Sequence, residues 1–211
     1  MTKECEGIHS LAWNLKRHNF PFCETHILLN GIYILFEKGE QGHGRDRIVR
    51  IGTHTGENQL RSRLKQHFLN ENKDRSIFRK NIGRSLLKQS NDPFLEFWEL
   101  DITTRMAKDK YSHLIDFEYQ KAIESRVSQY IQNSFSFCVF EVHNKQERLE
   151  IESKIISTVS WCESCGSSNS WLGNHSPKDK IVKSGLWLVN ELYKTPFDAS
   201  GIKGLSKLLR G

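Results

Sequence analysis

No run of about 18 apolar residues occurs anywhere in the 211-residue sequence, so no segment reads as a membrane-spanning helix. The N-terminus has no apolar leader core either. It carries Lys3, Glu4 and Glu6 instead, and no secretion signal is expected there. Internal repeats and low-complexity stretches are absent, which excludes solenoid and linker-like chains. Charge of neither sign dominates: 31 Lys and Arg stand against 25 Asp and Glu, a net +6. That balance, with 5 Trp and 12 Phe, excludes a disordered chain. Cysteine does not come in an even number. Five in a chain of this length read as reduced thiols in a cytoplasmic protein, and the length suffices to bury a core without disulfides. One domain with appendages is the expected organisation.

The small net charge conceals an asymmetry. Between Arg45 and Lys88 there are 12 Lys and Arg and 4 Asp and Glu, a local +8 that leaves −2 for the rest. A local excess of this kind suits a polyanion, with a solvated basic face as the alternative. Within and around it the elements follow from periodicity. A short helix is expected around Ile8 to Leu15. GIYILFE (Gly31 to Glu37) and RIVRIG (Arg47 to Gly52) alternate as strands and make a hairpin across a loop from Lys38 to Asp46. In Glu57 to Phe68 the residues Leu60, Leu64 and Phe68 make a core-facing helical stripe, with Arg63 and His67 on a neighbouring face. A basic helix covers Ser76 to Lys88, a strand Phe94 to Ile102, a long helix Leu114 to Ile131, a strand Phe135 to Val142 and a helix Lys145 to Val159.

The ordered set Gly31-Ile32-Tyr33, Arg50-Ile51-Gly52, then Leu60, Arg63, Leu64 and His67 resembles the GIY-YIG nuclease superfamily. A bare Gly-Ile-Tyr occurs by chance; the set in this order is far more specific. The resemblance covers about residues 29 to 160. It implies an α/β (α+β) fold, a small, mainly antiparallel three-stranded sheet flanked by helices. Residues 1–28 would be an N-terminal extension, about 94–134 a helical insertion, and 161–211 a C-terminal extension packed on the core. The family also places a metal-binding glutamate on the helix after its third strand, in a pattern like E-x-x-L-x-E-x-x-L-I. Glu147 to Ile156 reads ERLEIESKII directly after FSFCVFEV, which puts the ligand at Glu152. Independently, Leu149, Ile155, Ile156 and Val159 fall within ~60° of Glu152 on a helical wheel. An acid centred in an apolar stripe wants a cation or a hydrogen-bond partner. Glu124 is the rival, since Phe117, Val127 and Ile131 surround it likewise. Element order favours Glu152.

The resemblance implies an endonuclease that hydrolyses phosphodiester bonds of DNA by in-line attack of water, with Mg²⁺ or Mn²⁺. Tyr33 would activate the water, Arg63 would contact the scissile phosphate, Glu152 would hold the metal, and His67 would contact phosphate or protonate the leaving oxygen. The second motif departs from the family: Arg50 stands where its second tyrosine would be. A phenol ordinarily keeps its proton to about pH 10, so Arg50 facing Tyr33 across the hairpin would help it serve as base. His54 is a second candidate base, with an exposed loop histidine as its plainer reading. Arg61, Lys65, Arg79, Lys80, Arg84 and Lys88 are the candidate contacts to the DNA backbone.

Other signals weigh less. Cys162-x-x-Cys165 is half a zinc ligand set, and Cys23-x-x-His26 would supply the other half. Trp171 and Trp187 read as core anchors ahead of base-stacking platforms. The alternative function is a catalytically inactive nucleic-acid-binding protein on the same scaffold, which the missing tyrosine favours; a zinc-stapled interaction module rests on the cysteine pairs alone. A short chain without a separate DNA-reading module favours restriction, defence or repair. A homodimer is one way to cut both strands of a duplex.

Overall fold

The computed structural model describes residues 1–209. β-branched and aromatic residues crowd the segments around Ile34, Ile48 and Phe137, and these are the segments that extend into a sheet. Four strands, β1 (His18–Asn19), β2 (Gly31–Gly42), β3 (Arg45–Gly52) and β4 (Phe135–Glu141), form one antiparallel sheet in the order β1–β4–β2–β3. The two-residue β1 adds an edge to the three strands legible in the sequence. β2 is central: Tyr33 sits opposite Gly52 of β3 and Val139 of β4. The loop expected over Lys38 to Asp46 shrinks to a two-residue turn, because both strands continue outward. Its residues His43 and Gly44 have φ of +53° and +72°, the pair of left-handed conformations that matches strand twist in a tight hairpin.

The chain's helices are α1 (Thr2–Trp13), α2 (Leu60–Phe68), α3 (Ile77–Gln89), α4 (Leu95–Glu99), α5 (Arg105–Tyr111), α6 (Phe117–Ser134), α7 (Lys145–Ser160), α8 (Asp179–Ser184) and α9 (Ala199–Leu208). Side-chain caps fix several starts: Ser76, Asp116 and Asn144 accept backbone N–H groups of α3, α6 and α7. Alternating strand residues pack against different helices. Tyr33, Leu35 and Phe137 face Leu60, Leu64 and Phe68 of α2, Phe78 and Ile82 of α3, and Ile123 and Val127 of α6. Ile32, Ile34, Phe36 and Cys138 face α1, α7 and α9. Each Leu, Ile or Phe buried in these layers contributes roughly 1.5–3 kcal/mol. No described helix is long and apolar enough to cross a membrane.

The segment Phe94 to Ile102, expected as a strand, is the short helix α4. Short apolar runs do not distinguish the two. Here Trp98 decides: it is fully buried, and its indole N–H donates to the Lys80 carbonyl at 3.0 Å. Trp171 and Trp187 are core anchors, both donating their indole N–H to the buried carboxylate of Glu37 at 2.7 and 2.8 Å. Tyr130 donates its hydroxyl to the other oxygen of Glu37. The C-terminal segment is thus held to the sheet by a buried acid.

Candidate active site

At the β3 edge of the sheet lies a cleft of about 470 Å³, bordered by Arg50 from β3, Arg63 from α2, Asn81 from α3, Glu152 from α7, and the chain from Trp187 to Glu191. β2 brings Tyr33 to its inner side. The register accounts for both motif glycines. A Cβ on Gly52 would lie 2.2 Å from the Tyr33 hydroxyl oxygen, and one on Gly31 would lie 2.1 Å from the Phe140 carbonyl oxygen. The phenol can lie across β3 because Gly52 has no side chain.

Tyr33 is 1% exposed. Its hydroxyl is 2.8 Å from Nε2 of His67 and receives Nε–H of Arg50 at 3.4 Å. Nδ1 of His67 is 2.8 Å from the hydroxyl of Ser76, which also accepts the Arg79 backbone N–H. His67 is fully buried, and burial together with Arg63, Arg50 and Arg79 holds its pKa well below the usual histidine value. It does not border the cleft. The expected contact of His67 with phosphate or a leaving oxygen is therefore corrected: its two nitrogens are occupied by Tyr33 and Ser76, and it positions the phenol. Arg50 donates to the Trp187 carbonyl and touches the phenol and the cleft alike. It stands between Tyr33 and solvent.

Glu152 accepts one hydrogen bond, from the Thr53 backbone N–H at 3.0 Å, and none of its oxygens is within ion-pair distance of a described Lys or Arg. Burial pushes its pKa up to about 7, against the opposing pull of Arg50 and the Thr53 N–H. Glu124 differs. Arg79 forks onto it at 2.7 and 3.0 Å, and the Lys73 backbone N–H donates to its other oxygen. Its carboxylate is filled by protein donors, whereas Glu152 presents an oxygen with none. Of the two acids, Glu152 is the one whose donor set fits a divalent cation, a hard ion that prefers carboxylate and water.

His54 is neither an exposed loop histidine nor placed to act as a base. It is buried; its Nε2 accepts the Gly31 N–H at 3.2 Å while Nδ1 donates to the Gly56 carbonyl at 2.6 Å. Both nitrogens tie the loop after β3 to the start of β2. The expected phosphate track on α3 is corrected too. Arg79 is fully buried against Glu124, Lys80 pairs with Asp74 at 3.0 Å, and Arg84 forks onto Glu99 at 2.6 Å. On α2, Arg61 donates to the Ile27 carbonyl and Lys65 pairs with Glu24. Much of the local charge excess is spent on internal contacts. Arg63, held by Gln66 and the Arg75 carbonyl, remains at the cleft. The proposed zinc quartet does not form. Cys23 is exposed and bonded to Thr25, and His26 is exposed; the side chains near Cys162 and Cys165 are Cys5 and His43.

Sequence reading missed Asn81, Ser76 and Glu191. Asn81 is 1% exposed; its Oδ1 accepts Nη1 of Arg84, and its Nδ2 has no partner. The amide cannot be the other way round, since a guanidinium only donates. Asn81 borders the cleft beside Arg50 and Arg63, with its N–H₂ buried behind the cleft wall and unmet by any described acceptor. Asparagine in the middle of an otherwise good helix, directly after Arg79 and Lys80, was the available signal. Glu191 carries none: it reaches the cleft through a left-handed backbone (φ +62°) and pairs with Lys194.

A family model described as a GIY-YIG domain matches residues 10–211. No curated protein and no solved structure matches the chain.

Proposed function

The chain belongs to the GIY-YIG family, a nuclease-type domain, and from that premise we propose that it is a metal-dependent endonuclease cleaving phosphodiester bonds of DNA in the cleft at the β3 edge. The observation that carries this reading is Glu152, a carboxylate with an unfilled oxygen in a cleft that also holds Arg50 and Arg63. A structural acid would be paired, as Glu124 is. Glu152 would hold Mg²⁺ or Mn²⁺, which when bound supplies Lewis-acid neutralisation of phosphate charge. Arg63 and Arg50 give forked donors to phosphate oxygens, and the unmet N–H₂ of Asn81 adds a neutral one.

Tyr33 is the general base of this reading. As long as the phenol keeps its proton, one hydroxyl in the series Tyr33–His67–Ser76 lacks an acceptor among the described residues. With the phenol ionised, Ser76 donates to Nδ1 of His67, and Nε2–H of His67 and Nε–H of Arg50 both donate to the oxygen. Every position is then filled. The 3.4 Å contact of Arg50 is the weaker of the two. A phosphate entering the cleft competes for that guanidinium, and its withdrawal opens the phenol oxygen to a water aligned for in-line attack.

The test is cleavage of supercoiled plasmid with Mg²⁺ by the wild type and Glu152→Ala, with DNA binding of both followed by fluorescence anisotropy. The expected result is nicking or linearisation by the wild type, lost at least a hundredfold in the variant while binding persists. Salt-sensitive binding without cleavage of any duplex or single strand, even with Mn²⁺, would refute the enzyme and leave the binding-only alternative that Arg50 in place of tyrosine suggests.

A further inference from the structure

At the opposite end of the β2–β3 hairpin, four side chains from separate parts of the chain converge. They are Cys5 of α1, His43 of the hairpin turn, and Cys162 and Cys165 of the loop after α7. Their donor atoms all lie within 4.8 Å of one another. Nine residues of β2 lie between Tyr33 and His43, on the order of 30 Å of strand, so this cluster and the cleft are distinct places.

We propose that Cys5, His43, Cys162 and Cys165 bind one structural zinc ion as a tetrahedral Cys₃His centre. Two of the separations match edges of such a tetrahedron. Zn–S bonds of about 2.3 Å and Zn–N bonds of about 2.0–2.1 Å at tetrahedral angles put neighbouring sulfurs about 3.8 Å apart and sulfur and nitrogen about 3.5 Å apart. Sγ of Cys5 is 3.5 Å from Sγ of Cys165, and Sγ of Cys162 is 3.4 Å from Nε2 of His43. A Cys5–Cys165 disulfide would account for two of the four groups and leave the imidazole and the third thiol unexplained. Four N and S donors with no acid among them select zinc over the hard cations.

The surroundings are shaped to the cluster. His43 takes a left-handed backbone, φ +53°, at a turn position where Asn or Gly costs less; that conformation carries its ring over the end of the sheet. A Cβ on Gly42 would come within 3.0 Å of the Cys165 Cβ, so the preceding residue is small where the C-x-x-C loop passes. His9 completes a second layer. Its Nδ1 donates to the Cys5 carbonyl at 3.0 Å, its Nε2 accepts the Ile48 N–H at 3.2 Å, and its ring packs edge-on against that of His43 at 5.0 Å. Cys5, Cys162 and Cys165 are all buried. The ion would staple the first helix and the end of α7, the helix that carries Glu152, to the hairpin tip.

The test is the zinc content of untagged full-length protein by plasma mass spectrometry, for the wild type, Cys162→Ser/Cys165→Ser, Cys23→Ser and Glu152→Ala. About one zinc per chain is expected in the wild type, Cys23→Ser and Glu152→Ala, falling more than tenfold in the double variant. If the double variant does not fold, titrating the folded wild type with a mercurial while a chromogenic chelator reports zinc gives the same answer. Exposed Cys23 reacts first without release, and zinc then leaves as three further thiols are consumed. Cobalt replacement should give the intense visible bands of a tetrahedral thiolate centre. Less than a tenth of an equivalent in the wild type, iron in place of zinc, zinc retained in the double variant, or loss of zinc with Glu152→Ala would each overturn the proposal.

Discussion

A single oxygen organises the residue scale. The Tyr33 hydroxyl is hemmed by Gly52 beneath it, His67 on one side and Arg50 on the other. Tyr33→Phe removes that oxygen and little else, because the ring keeps its edge-to-face contact with His67 of α2. The proposed base then predicts a fall in cleavage of at least a hundredfold with DNA affinity within about twofold of wild type. Near-wild-type turnover in Tyr33→Phe would show that some other group activates the water. Asn81 offers a sharper test of the cleft's polarity. Asn81→Asp keeps an acceptor for Arg84 and turns that contact into an ion pair, so stability should hold or rise. The same change replaces an unmet donor with a negative charge beside the phosphate site. DNA affinity should drop about tenfold or more, measured by anisotropy at low salt; unchanged affinity would remove Asn81 from the substrate contacts. The residues legible in the sequence at this scale were those with a fixed order along the chain, Tyr33, Arg50, Arg63 and Glu152. Asn81 and Glu191 were not, because their placement depends on which turn of α3 and which kink of the C-terminal segment meets the cleft.

Among the elements, α3 shows why a charge run misleads. Its sequence, IFRKNIGRSLLKQ, alternates cations with apolar residues and reads as a basic surface. Folded, the helix packs against α6, α4 and the turn at Leu172–His175, and Arg79 and Arg84 find Glu124, Glu99 and carbonyls of other elements within reach. The partners sit 15 and 45 residues away, a distance over which local sequence carries no information. Strands β2, β3 and β4 and helices α2 and α7 were legible because their periodicity is local; α4 was not, because five residues around a buried Trp fit either period. Arg79→Met should leave Glu124 as an uncompensated buried charge and cost about 3–5 kcal/mol in urea unfolding. A cost below about 1 kcal/mol would mean that Arg79 is more solvated than its packing indicates. Lys80→Gln should leave the salt dependence of DNA binding unchanged, since that ammonium already faces Asp74 and the Glu99 carbonyl; a slope reduced by about one ion would return it to the DNA surface.

For the whole molecule, function and stability meet in what the sheet's two ends bury. The β3 edge encloses a neutral histidine among arginines, and its burial gives the fold a defined response to acid. His67 and His54 both have pKa values lowered by burial. Above the unfolded value of about 6.5, His67 is neutral in both states and its contribution to stability is complete. Below it the unfolded chain takes up a proton that the folded chain refuses. Stability then declines by about 1.4 kcal/mol per pH unit for this residue until its depressed folded pKa is reached. The three guanidiniums facing His67, Arg50, Arg63 and Arg79, push in the same direction as burial, so no nearby group rescues the imidazolium. Glutamine at position 67 can still bond Tyr33 and Ser76 but cannot titrate. Between pH 7.5 and 5.5, urea unfolding of the wild type should therefore lose about 1.4 kcal/mol more than that of His67→Gln. Equal losses in the two proteins would mean that His67 is protonated inside the fold, and the phenol it supports would then lie beside an imidazolium instead of a neutral ring.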